Sequence, residues 1–168
     1  MFQAQLGVGA DGTPGGRNTK VWFEGEGDIA CDMQQIQEAL ENPGEYFVAV
    51  VSLMPGMTQV DLVEQGEDFV TIRTNEGLMQ RTNLSRSVDT GRVVVEFDEL
   101  YDASGRVTAT SHYRDEFTAA DAGVRNHLVI SGVEAPGVLG FLYRNFGSRN
   151  IGKAVLEANR RYFAGERP

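Results

Sequence analysis

The chain has 168 residues, of which 41% are hydrophobic and 23% charged, and a formal net charge of −9. That length suits one domain with a real core, and the composition argues against wholesale disorder. The acidic balance disfavours nucleic acid and anionic membrane surfaces as partners. The nearest thing to a basic cluster, Arg160-Arg161, fits the end of a helix, where the macrodipole favours cations.

Cys31 is the one cysteine, so no internal disulfide can form and nothing points to an oxidising compartment. No basic region followed by an apolar run opens the chain, so no signal peptide is expected. The longest apolar run, 47–51, is too short to span a bilayer. These features lead to the expectation of a cytoplasmic protein without membrane insertion.

Residues 1–19 crowd Gly7, Gly9, Gly12, Gly15 and Gly16 around Pro14, yet Phe2, Ala4, Leu6 and Val8 alternate at period two. The segment reads either as an extra strand with a loose turn or as a disordered leader. The domain proper is then 20–168. KVWFEGEG at 20–27 is rich in β formers and reads as a strand. Asp28 and Asp32 can cap a helix immediately after it. Met33, Ile36, Gln37 and Leu40 recur at helical spacing, giving a short helix over 33–42. Asn42-Pro43-Gly44 ends it, and 45–51 fits either a second short helix or a strand.

Turn signals then fall at fairly even intervals: Pro55-Gly56, Gly66-Glu67, Asn75-Glu76-Gly77, Asp89-Thr90-Gly91, Ala103-Ser104-Gly105 and 120–123. They mark a meander with strands at about 58–65, 68–74, 78–88, 92–101, 106–118 and 124–133. Pro136 suits the first turn of a helix. Residues 137–163 read as one long helix with two apolar stripes, Leu139, Leu142, Tyr143 and Phe146, then Ile151, Val155, Ala158 and Tyr162. The stripes are out of phase, so a bend is expected at Gly147-Ser148.

Catalytic and metal motifs find little support. Gly7-Val8-Gly9-Ala10-Asp11-Gly12 matches a dinucleotide-binding pattern, but Thr13-Pro14-Gly15-Gly16 stands where a helix must start. His112 and His127 are the only histidines and lie on different strands, so no metal site and no cofactor are expected. Cys31 precedes a helix, where a thiol can be activated, though an inert cysteine is the plainer account.

The inner sheet face is more informative. On 106–118 the odd positions are the more apolar, so Tyr113 and Asp115 should point inward with Val107, Ala109, Ser111 and Phe117. On 124–133 the inward set is Val124, Asn126, Leu128 and Ile130. Asn126 among apolar neighbours needs a hydrogen-bonding partner, either nearby backbone or a ligand.

The order strand, short helices, meander, long helix resembles the START-like helix-grip superfamily, also called SRPBCC. The carriers are KVWFEGEGDIACDMQQIQEALENPGEYF near the start and HLVISGVEAPGVLGFLYRNFGSRNIGKAVLEANRRYF at the end. The resemblance implies an α+β fold with a seven-stranded curved antiparallel sheet gripping a C-terminal helix. It also implies a cavity holding a small apolar molecule such as a lipid or polyketide. Leu78, Thr82, Phe97, Tyr113, Asn126, Leu128, Leu142 and Phe146 are the expected wall. An enzyme of the polyketide aromatase/cyclase type is the alternative, with Tyr113, Asp115, His112 and Arg73 as its acid/base groups. A protein-binding module like the Coq10-like proteins is the third.

Overall fold

The structure, a computed structural model, describes residues 19–167. The extra-strand reading of the leader and the glycine motif at 7–12 lie outside the described residues. The chain runs β1 (Val21–Ile29), α1 (Met33–Ala39), α2 (Pro43–Ser52), β2 (Val60–Gln65), β3 (Val70–Thr74), β4 (Leu78–Asp89), β5 (Arg92–Asp102), β6 (Thr108–Ala120), β7 (Gly123–Glu134), α3 (Gly137–Phe146) and α4 (Ser148–Phe163). The seven strands form one curved antiparallel sheet in the order β1-β7-β6-β5-β4-β3-β2, open between β1 and β2. Hairpins link β2 through β7, and β1 returns to pair with β7.

Local chemistry explains the helical insertion after β1. Asp32 accepts from the Gln35 backbone N–H at 2.9 Å, and the Gln35 side chain accepts from Asp32 N–H at 3.0 Å, a reciprocal cap for α1. Asn42 caps α2 by accepting from Glu45 N–H at 3.3 Å, with Pro43 in the first turn. The Asn42-Pro43-Gly44 stop is therefore also a start, and 45–51 is helix. Tyr46, Phe47, Val50 and Val51 form its buried face. The core between the concave sheet face and the helices includes Ile36, Val51, Ile72, Val93, Phe117, Leu128 and Ile130, all fully buried.

The C-terminal segment departs from one expectation. The helix is interrupted at Gly147, which closes α3 and opens α4, so the break falls where the stripes slip phase. A side chain at Gly147 would press on the Tyr143 carbonyl and touch Trp22. Of the α3 stripe, Tyr143 turns inward while Leu139 and Leu142 do not. Leu139 and Leu142 are 51% and 46% exposed, as are Val138 and Phe141 in large part. The reason is how α3 is held. Gly140 sits close over Ala135, Tyr143 stacks on Trp22 with ring centroids 5.3 Å apart, and the Trp22 indole N–H donates to the Arg144 carbonyl at 2.6 Å. These contacts turn the face bearing Leu139 and Leu142 away from the sheet. No helix among the described residues is long and apolar enough to cross a membrane.

Candidate functional site

A cavity of about 770 Å³ lies between the sheet and the C-terminal helices. Its apolar wall is built by Met54 and Met57 after α2, Met79 on β4, Val107 before β6, and Ile151, Ala154 and Val155 on α4. Polar side chains also line it, among them Asn75, Glu76, Ser104, Arg106 and Asn150. Arg81, Glu99 and Tyr113 project from three adjacent strands, and Tyr143 meets them from α3.

Arg81 and Glu99 are direct cross-strand partners, and Arg81 Nε donates to Glu99 Oε2 at 2.9 Å. Both side chains are more than nine-tenths buried. The guanidinium lies between two rings, 4.4 Å from the Phe47 centroid and 4.6 Å from that of Phe97. Phe97 in turn stacks on Tyr113 at 5.0 Å. Among the described residues, Arg81 hydrogen-bonds protein only through Nε, and no fully buried side-chain nitrogen or oxygen lacks a partner. Arg81 itself is part of the cavity wall. Burial holds the Tyr113 phenol well above its ordinary pKa, with the Glu99 charge adding to the effect. Burial and Glu99 raise Tyr143 in the same way. Both phenols stay protonated and able to donate.

Behind this wall lies a second buried polar group. Asp115 accepts from the amides of Asn126 and Asn159, the latter at 2.9 Å. Asn159 also donates to Asn126 Oδ1 at 3.1 Å and accepts from the Tyr46 hydroxyl at 2.8 Å. The set ties α2, β6, β7 and α4 together. Burial pushes the Asp115 carboxyl up to about 6, against the opposing pull of the two amides and Arg81.

The expected wall residues are scattered. Of the seven whose side chains are described, Tyr113 alone lines the cavity. Phe97 is buried behind it, and Leu128 is in the packed core. Asn126 does find a buried polar task, but its partners are Asp115 and Asn159. Leu78 and Thr82 alternate with the inward Met79 and Arg81, and Thr82 is exposed. Leu142 is on the outward side of α3, and the Phe146 side chain lies outside the described residues.

The four acid/base candidates do not converge either. Asp115 is off the cavity, Arg73 is exposed, and His112 bonds Asp98 at 2.8 Å. Arg81, Glu99 and Tyr143 are site residues that no sequence motif marks. Eighteen positions separate Arg81 from Glu99, and opposite charges on neighbouring strands are the signal that could have found them. Burial, with the neighbouring Asp32 charge adding to it, raises the Cys31 thiol to about 11, the direction opposite to activation. No group of three or more His, Cys, Asp or Glu is placed to hold a metal ion among the described residues.

No protein-family model and no curated protein matches the sequence. Solved structures do match. A STAR-related lipid transfer protein from Xanthomonas axonopodis superposes with a TM-score of 0.53 at 14% identity, covering 84% of each chain. The human StarD13 lipid transfer and protein localization domain gives 0.54 at 11% identity, over 83% of this chain and 75% of that one. The Zhui aromatase/cyclase from Streptomyces gives 0.50 at 20% identity, over 87% and 98%. Identities this low speak to architecture alone. With the strand order, the C-terminal helix and the helical insertion after β1, they establish that this chain has the START-like helix-grip fold.

Proposed function

We propose that the chain binds a small hydrophobic molecule, a lipid, polyketide or similar compound, in the cavity between the sheet and α4, and holds or carries it there. The observation that carries this reading is the cavity itself, about 770 Å³, with three methionines and the aliphatic side chains of Ala103, Val107, Ile151, Ala154 and Val155 in its wall. That volume lies within the range of small-molecule pockets. Methionines suit a ligand of irregular shape, because the thioether chain adapts at low cost. The lipid-transfer and cyclase names of the matched structures agree with this reading.

The enzyme reading has less to support it, since Asp115, His112 and Arg73 are not gathered around Tyr113. Native mass spectrometry tests the binding reading. Protein freshly purified, or incubated with decanol, should carry one small apolar molecule per chain. Protein that stays bare in both preparations contradicts it.

A further inference from the structure

Exposed apolar side chains gather on α3, where Val138, Leu139, Phe141 and Leu142 are 79%, 51%, 53% and 46% exposed. Helical hydrogen bonding continues past the break, from Gly147 N–H to the Tyr143 carbonyl at 2.9 Å and from Ile151 N–H to the Gly147 carbonyl at 3.1 Å. One outward stripe therefore runs Val138, Leu142, Asn145, Arg149 and Lys153 at helical spacing, every member exposed. It is apolar at the α3 end and basic at the α4 end. Over 135–156 the chain carries Arg144, Arg149 and Lys153 and no Asp or Glu, against a net charge of −9 for the whole. Arg92, Arg114, Arg125, Arg160 and Arg161 each pair with a carboxylate. Arg144, Arg149 and Lys153 are exposed and make no ion pair among the described residues. Single exposed apolar residues are ordinary, but a contiguous patch beside unanswered cations marks a docking surface.

We propose that this stripe docks an acidic amphipathic helix of a partner protein, laid antiparallel along α3 and α4. Its apolar end covers Val138, Leu139, Phe141 and Leu142, and its carboxylates meet Arg149 and Lys153. The antiparallel sense follows from the macrodipole, which favours acidic residues in the partner's first turns. The stripe is graded along its axis over roughly 22 Å at 1.5 Å per residue, which a second helix can match end to end. A bilayer asks for another layout, with cations flanking the apolar face at one depth. A second copy docking through the same patch would set cations against apolar residues or against cations.

The probe is a fluorescein-labelled peptide of about 16 residues, with Glu in its first half and Leu at helical spacing in its second, read by anisotropy against the full chain. Saturable one-to-one binding is expected, weakening as salt rises. Leu142→Glu, and Arg149→Glu together with Lys153→Glu, should each weaken it about tenfold or more. Val88→Glu, at a position of like exposure on β4, should leave it unchanged. All of these alter exposed side chains, so each variant should melt with the wild type. No saturable binding, binding untouched by both sets of changes, or equal binding of a peptide with Lys in place of Glu overturns the proposal. A wild-type dimer in sedimentation that Leu142→Glu dissociates also overturns it, making a second copy the occupant. Wild-type co-sedimentation with phosphatidylcholine–phosphatidylglycerol vesicles that Leu142→Glu abolishes overturns it in favour of a membrane surface.

Discussion

Arg81 and Glu99 face each other across β4 and β5, both buried and joined by a 2.9 Å bond, in the wall of the cavity. Removing one member strands the charge of the other. Glu99→Leu should cost about 3–5 kcal/mol, and the double change Arg81→Met with Glu99→Leu should recover most of it. A double-mutant cycle by urea denaturation measures this. Single changes costing under about 1 kcal/mol would show that the pair is solvated and contributes little.

Asp115 should give the protein a pH-dependent stability of a definite sign. Its carboxyl moves from 3.8 to about 6 on folding, chiefly through burial. Between those values the folded chain binds the proton and the unfolded chain does not, so this contribution to stability falls as pH rises. The full penalty, about 3 kcal/mol, is in place above pH ~6. Asp115→Asn lacks this titration. The difference between wild-type and variant unfolding free energies should therefore change by about that amount between pH ~3.5 and ~7. A difference that is flat with pH would contradict the assignment.

These two sites show what could be read from the chain and what could not. The meander was legible because turn residues punctuate it at nearly every reversal, and β6 was legible because its odd positions are the more apolar. The inward direction of Asn126 came from the same alternation. On β4 the alternation misleads. Leu78 suggests the even positions face inward, but the odd Met79 and Arg81 do, and a one-residue error flips every side chain. A buried arginine makes sense only once β5 supplies Glu99, which is a property of register. On α3, the apolar stripe suggested burial, whereas Trp22, far away in sequence, decides which face turns inward.

The two C-terminal helices should respond differently to substitution. Leu139→Ser and Leu142→Ser alter exposed side chains and should change stability by no more than about 0.5 kcal/mol. Phe163→Ala removes a buried ring from α4 that packs edge-on against Phe117, and should cost about 3–5 kcal/mol. Equal losses from both sets, measured by denaturant midpoint, would mean that α3 packs as tightly as α4.

Close packing of α4 on β1 depends on a missing side chain. A Cβ at Gly152 would overlap the Phe23 ring. Gly152→Ala should therefore lower stability by about 1–3 kcal/mol despite alanine's better helix propensity. Adding Phe23→Leu should restore part of the loss. A more stable Gly152→Ala protein, read by thermal melting, would show that the ring moves aside freely.

The central claim, that a hydrophobic ligand occupies the space beneath α4, is tested most directly by Nile red titration of the wild type, Ala154→Trp and Leu142→Trp. Ala154 lines the cavity and Leu142 lies on the outward side of α3. The account predicts saturable one-site binding by the wild type and by Leu142→Trp, and loss of binding in Ala154→Trp with an unchanged melting temperature. Binding that survives Ala154→Trp but is lost in Leu142→Trp would place the ligand on the outside of α3 and contradict the account.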